Sequence, residues 1–103
     1  MNTERYNGWT NYETWAVKLW IDNDQGSQEF WLEMAKDLHA SYGERATYEL
    51  ASQLEEFHKD TDMGAPDLGA SVFADLLGAA LDRVEWREIA ESLLEDYKDI
   101  LSE

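Results

Sequence analysis

From Trp86 onward, apolar residues recur at helical spacing with no break: Trp86, Ile89, Ala90, Leu93, Leu94, Tyr97, Ile100 and Leu101. Positions i, i+3, i+4 and i+7 fall on one stripe of an α-helix, whereas a strand would scatter them over both faces. The same period recurs upstream. Tyr12, Trp15, Ala16 and Leu19 share a stripe, and Val17, Trp20 and Ile21 add a second apolar side. A helix apolar around most of its circumference is expected at the centre of the fold. Thr10 is its expected cap, with Glu13 completing a capping box. Asp22, Asn23, Asp24, Gln25 and Gly26 form the turn that should end it.

Ser27 is placed to cap a second helix whose stripe is Phe30, Trp31, Met34, Ala35, Leu38 and Tyr42, with Gly43 as its stop. A third is predicted over residues 45–59, with Tyr48, Ala51, Leu54 and His58 on one side and Leu50 and Phe57 flanking them. Residues 60–68 hold Gly64 and the only proline, Pro66, and read as a loop, or as a loop entering a helix at Pro66. A fourth helix is predicted over residues 68–81, with Val72, Phe73, Leu76, Leu77 and Ala80 inward and Gly69 and Gly78 weakening it. The fifth should begin near Asp82, with Glu85 three residues on. Trp15, Trp31 and Trp86 fall on these stripes and read as structural. No stretch alternates apolar and polar residues as a strand does. The expectation is an all-α, single compact domain of four to five helices over residues 1–103, without repeats or linkers.

Charge narrows the function. The chain has 23 acidic residues against 8 Lys and Arg, a net −15 and a pI near 4.2. Duplex affinity comes largely from neutralising phosphates with cations, so direct nucleic-acid binding is disfavoured, and so is docking to anionic membrane. Residues 1–6 lack the layout of a signal peptide, and no apolar run approaches the ~18 residues of a spanning helix, so a cytoplasmic protein is expected. With no cysteine there is neither a disulfide framework nor a thiolate metal site.

The acids are patterned. Glu88, Glu91, Glu95 and Asp99 share one stripe of the fifth helix, opposite Trp86, Ile89, Leu93 and Tyr97. Glu55, Glu56, Asp60 and Asp62 end the third helix and enter the loop. Carboxylates at i, i+3 and i+4 stand about 5–6 Å apart. Several such helices side by side could approach the charge density of a nucleic-acid backbone, although any amphipathic helix also has a polar face. Ordinary solubility needs a net charge of magnitude only ~2–8 in a small domain, so the surplus favours a basic partner.

Catalytic patterns are lacking. His39 and His58 belong to no metal-binding pair and no nucleophile motif. Asp22 to Gly26, with Glu33 at the twelfth place, departs from a calcium loop: glycine falls at position five and an oxygen ligand is missing. The pairs Glu55-Glu56 and Glu95-Asp96 diverge on a helix rather than converge. No enzyme activity, catalytic residue, metal or cofactor is expected. Trp9 and Trp20 are the candidate aromatic anchors, since tryptophan is enriched at binding hot spots.

The segment Asn7-Gly8-Trp9-Thr10-Asn11-Tyr12-Glu13-Thr14-Trp15, continuing through Val17-Lys18-Leu19-Trp20 to Asp22-Asn23-Asp24, resembles a family of small proteins met in phages, plasmids and related mobile elements. Val84-Glu85-Trp86-Arg87-Glu88-Ile89-Ala90 resembles that family's second characteristic segment. The resemblance carries over no activity and no catalytic residue. It implies a bacterial host, where small acidic proteins often inhibit restriction or CRISPR nucleases, some by imitating DNA. Physically, Asn7-Gly8 reads as a turn, Trp9 as a staple onto the first helix and Asn11 as a brace, a folding signature before a binding site.

Two functions follow as expectations. One is a non-enzymatic inhibitor whose carboxylates occupy the phosphate channel of a basic nucleic-acid-handling host protein. Its contacts would be Glu55, Glu56, Asp60, Asp62, Glu88, Glu91, Glu95 and Asp99. The other is an accessory module binding through a Trp/Tyr patch near Trp9 and Trp20, with a homodimer as one form and charge serving only solubility.

Overall fold

Asn11, rather than Thr10, starts the first helix. Its side-chain Oδ1 accepts the Thr14 N–H at 2.9 Å, leaving Thr10 outside the helix. A computed structural model describes residues 5–102, with side chains through residue 100. Residues 1–4 and the Leu101 side chain, both used in the sequence reading, lie outside the described set. The elements are α1 (Tyr12–Asn23), α2 (Gln25–Tyr42), a 3-10 turn (Gly43–Arg45), α3 (Ala46–Lys59), α4 (Val72–Asp82) and α5 (Trp86–Ser102). The fold is all-α.

The expected turn after α1 shrinks to one residue. Asp24 ends α1 and caps α2, accepting the Ser27 N–H at 3.3 Å, so Asp24 takes the capping role assigned to Ser27. With residues 12–23 and 25–42 both helical, no twelve-residue ion-binding loop exists there. Gly43 does end α2: its φ of 59° lies in the left-handed region that favours glycine, and its N–H reaches the His39 carbonyl. Ser71 caps α4 through the Ala74 N–H, so α4 starts at Val72, later than expected. α5 starts at Trp86, because Asp82 is still the end of α4.

The core lies where α2, α3 and α5 meet. Leu50 and Leu54 of α3, Ile89 and Leu93 of α5, and Trp31 and Ala35 of α2 are buried together. Trp31 packs on Phe57, 5.4 Å between centroids, and His58 packs on Trp86 at 5.2 Å. The C-terminal end of α3 therefore sits beside the start of α2 and the start of α5. His39 meets Tyr97 at 5.9 Å, so α2 and α5 run in the same direction.

Two expected positions are overturned. α1 is peripheral, not central. It buries Thr14, Lys18 and Ile21, while Tyr12 and Trp20 face solvent. Its buried face is polar because Thr14 and Lys18 reach bonding partners on the segment that opens α5 and on α5 itself. α4 has no buried residue, and Val72, Phe73 and Leu76, expected inward, are 62%, 67% and 63% exposed. Only its opposite side, with Ala74, Leu77 and Leu81, is turned toward α3 and the preceding loop. Smaller corrections follow the same lines. Tyr48, Phe30, Tyr42 and Ile100 are exposed, and Trp15 sits half-buried in a cluster with Tyr6 and Tyr12 outside the core.

Candidate functional site

Single-helix geometry places the acids. Glu91 and Glu95 are each two residues from a core residue, Ile89 and Leu93, which turns them about 200° away from the core. Glu95 and Asp99 are exposed and Glu91 pairs with Arg87 at 3.7 Å. Glu88 is engaged differently: it forms an ion pair with Arg5 and accepts the Thr10 N–H at 3.0 Å. At the end of α3, Lys59 bridges Glu55 at 2.8 Å and Asp82 of α4 at 3.0 Å. Those two carboxylates, Glu55 first, hold the Lys59 ammonium above its usual range. Asp60 folds back on its own loop, its Oδ1 accepting the Asp62 N–H at 2.8 Å, while Glu56 and Asp62 are exposed.

A further acidic row escaped the sequence reading. Glu29, Glu33 and Asp37 stand one helical turn apart on α2, beside a shallow surface formed with Phe30 and Met34. Glu33 lies two residues from both Trp31 and Ala35, again opposite the core. The i, i+4, i+8 spacing is present in the sequence, on the polar side of the helix that carries the α2 apolar stripe. The rows on α2 and α5 are thus each one helix wide, on outward sides of helices whose inner sides meet.

The two aromatic candidates separate. Trp9 is half-buried against the core, whereas Trp20 is 72% exposed. Trp20 rims a groove of about 350 Å³ between α1, α2 and the end of α3. Trp31, Phe57 and His58 form its aromatic lining, with Asp24 and Ser27 at the α1–α2 junction. His58 donates from Nδ1 to the Leu54 carbonyl at 2.7 Å, and burial pushes its pKa below the ordinary imidazole value. Its ring stacks on Trp31, 6.1 Å between centroids.

The segment from Asn7 to Trp15 and the segment around Trp86 bind each other. Asn7 and Gly8 both have positive φ, 48° and 89°, and form the two-residue turn of a miniature hairpin closed by Tyr6 and Trp9. Asn11 Nδ2 donates to the Arg83 carbonyl at 2.7 Å. The Thr14 hydroxyl donates to Asn11 Oδ1 at 2.6 Å and accepts the Glu85 N–H at 2.9 Å. Arg83 pairs with Glu13 at 3.3 Å. Lys18, buried, completes the attachment to α5 by reaching Asp96 at 3.1 Å as well as Asp22 at 2.8 Å.

Residues 2–103 match a family of unknown function, DUF7249. The chain belongs to that family. No curated protein and no solved structure matches it. In this member of DUF7249, the N-terminal segment is a clamp that closes the chain onto the start of α5. Most of its polar groups are spent inside the molecule, and Glu88 serves the clamp rather than the open surface. Among the candidate contacts, Glu56, Asp62, Glu95, Asp99 and Trp20 are the ones most open to a partner.

Proposed function

We propose that this protein acts by binding a basic protein of the class that handles nucleic acid, and that it blocks the surface it covers. The observation that carries this reading is the surplus of uncompensated carboxylate. Ion pairs of Arg5, Lys18, Lys59, Arg83 and Arg87 take up seven carboxylates. The 23 acids still outnumber the eight lysines and arginines by 15. Such a field speeds encounter with a cationic surface and repels polynucleotide. The single-helix rows favour insertion of separate acidic strips between cations over one broad polynucleotide-like sheet. The resemblance to mobile-element proteins supplies a context in which a host nuclease of the restriction or CRISPR type is a fitting partner.

Affinity capture from a bacterial lysate tests the reading. Basic nucleic-acid-handling proteins should be retained, and both salt and duplex DNA should release them. Retention of neutral or acidic proteins alone, unaffected by salt, refutes it. The exposure of Trp20 favours a second reading, an interaction module anchored by aromatic contact with charge for solubility alone. Under that reading Trp20→Ala abolishes capture, and reversing Glu95 and Asp99 to lysine leaves it intact.

A further inference from the structure

The Trp20 groove joins two residues that do not serve the core, Trp20 and Asp24, to two that do, Trp31 and Phe57. Trp20 projects from α1 with most of its indole in solvent, yet Trp31 and Phe57 continue the aromatic surface inward from it. Asp24 stands at the mouth with its carboxylate exposed, and one of its oxygens suffices for the α2 cap. His58 commits Nδ1 to the Leu54 carbonyl, which leaves Nε2 as an acceptor. His58 is half-buried and lines the groove. The groove thus offers an exposed indole, a carboxylate and an imidazole held toward its neutral form. At about 350 Å³ it is near the lower end of small-ligand pockets, which run from roughly 300 to 1,000 Å³, a size for one side chain rather than a folded segment.

We propose that this groove receives an arginine side chain of the basic protein partner, with the guanidinium laid on the Trp20 indole and its N–H groups directed to the Asp24 carboxylate. The inference rests on the reading of the chain as a binder of basic protein and names a contact within it. Charge complementarity selects the occupant. An anionic group would meet both Asp24 and the net −15 of the chain, and a purely apolar segment would strip water from Asp24 without replacing it. Among cations, arginine fits better than lysine. Its plane stacks on an indole, its donors are arrayed in a fork, and it is the less strongly hydrated of the two.

The test titrates the full chain with a six-residue arginine peptide and a six-residue lysine peptide at equal ionic strength, by calorimetry and by following the indole N–H resonances. The arginine peptide should bind about two- to fivefold more tightly, the scale of one partly exposed cation–π contact, and shift the Trp20 signal. Trp20→Ala should erase that preference and leave the affinity for the lysine peptide unchanged. Circular dichroism of the variant should match the parent, as expected for a side chain 72% exposed. Equal affinity for the two peptides, or a preference that survives Trp20→Ala, overturns the arginine site while the charge-based reading stands. Failure of both peptides to bind overturns the two together.

Discussion

Thr14 has no contact with solvent, and its hydroxyl makes both a donated and an accepted bond. The accepted bond satisfies the Glu85 N–H, one of the donors at the start of α5 that has no partner within the helix. Thr14→Val keeps the shape and removes both bonds, so it should cost about 1–3 kcal/mol in urea unfolding. Thr10→Ala should stay within about 0.5 kcal/mol, because Thr10 contributes its backbone N–H to Glu88 and alanine retains it. A large loss at Thr10 with none at Thr14 would restore Thr10 as the helix cap. Thr10 and Asn11 are both competent caps, and local sequence does not choose between them. The choice is made from 78 residues away, where Glu88 takes the Thr10 N–H.

At the scale of elements, α4 is the least anchored helix. It buries no side chain, and its links to the rest run through α3, the loop before it and the Lys59–Asp82 ion pair. Amide exchange in α4 should therefore be the fastest of the five helices, since local opening there exposes little apolar surface that is not already exposed. Gly78→Ala should slow it by about 0.5–1 kcal/mol of local opening free energy while leaving the α3 and α5 amides nearly unchanged. Room for the methyl exists: a Cβ on Gly78 meets nothing within 4 Å. Exchange in α4 as slow as in α5 would show that its exposed Val72, Phe73 and Leu76 are covered in solution. The inward side of α4 was faintly marked in the sequence. Only Asp75 and Asp82, seven residues apart, flag the side that turns out, and apolar residues outnumber them there. α1 misleads in the opposite sense, since its inward side is the one with Thr14 and Lys18.

For the whole molecule, charge sets the balance between stability and reach. The chain measures 45 × 38 × 25 Å and carries −15. Near 0.01 M salt the screening length is about 30 Å, so every carboxylate feels most of the others; near 0.15 M it is about 8 Å and only neighbours count. The urea midpoint should therefore rise between those concentrations. A midpoint indifferent to salt would mean that local ion pairs, such as those of Lys18 and Lys59, already balance the repulsion. The same screening should slow capture of a basic partner, so salt that strengthens the fold weakens the encounter. Helix number, the stop at Gly43 and the α5 core stripe as far as Leu94 were readable directly from the chain, because helical period and the tolerance of glycine for positive φ are local properties. The anionic surplus was equally plain, since counting needs no coordinates. Tertiary structure alone decided that α1 and α4 lie outside, that Glu88 belongs to a clamp, and that Trp20, Asp24 and His58 share a groove. Each of these depends on which distant group satisfies a buried bond or covers a face, and helical periodicity holds no record of such partners.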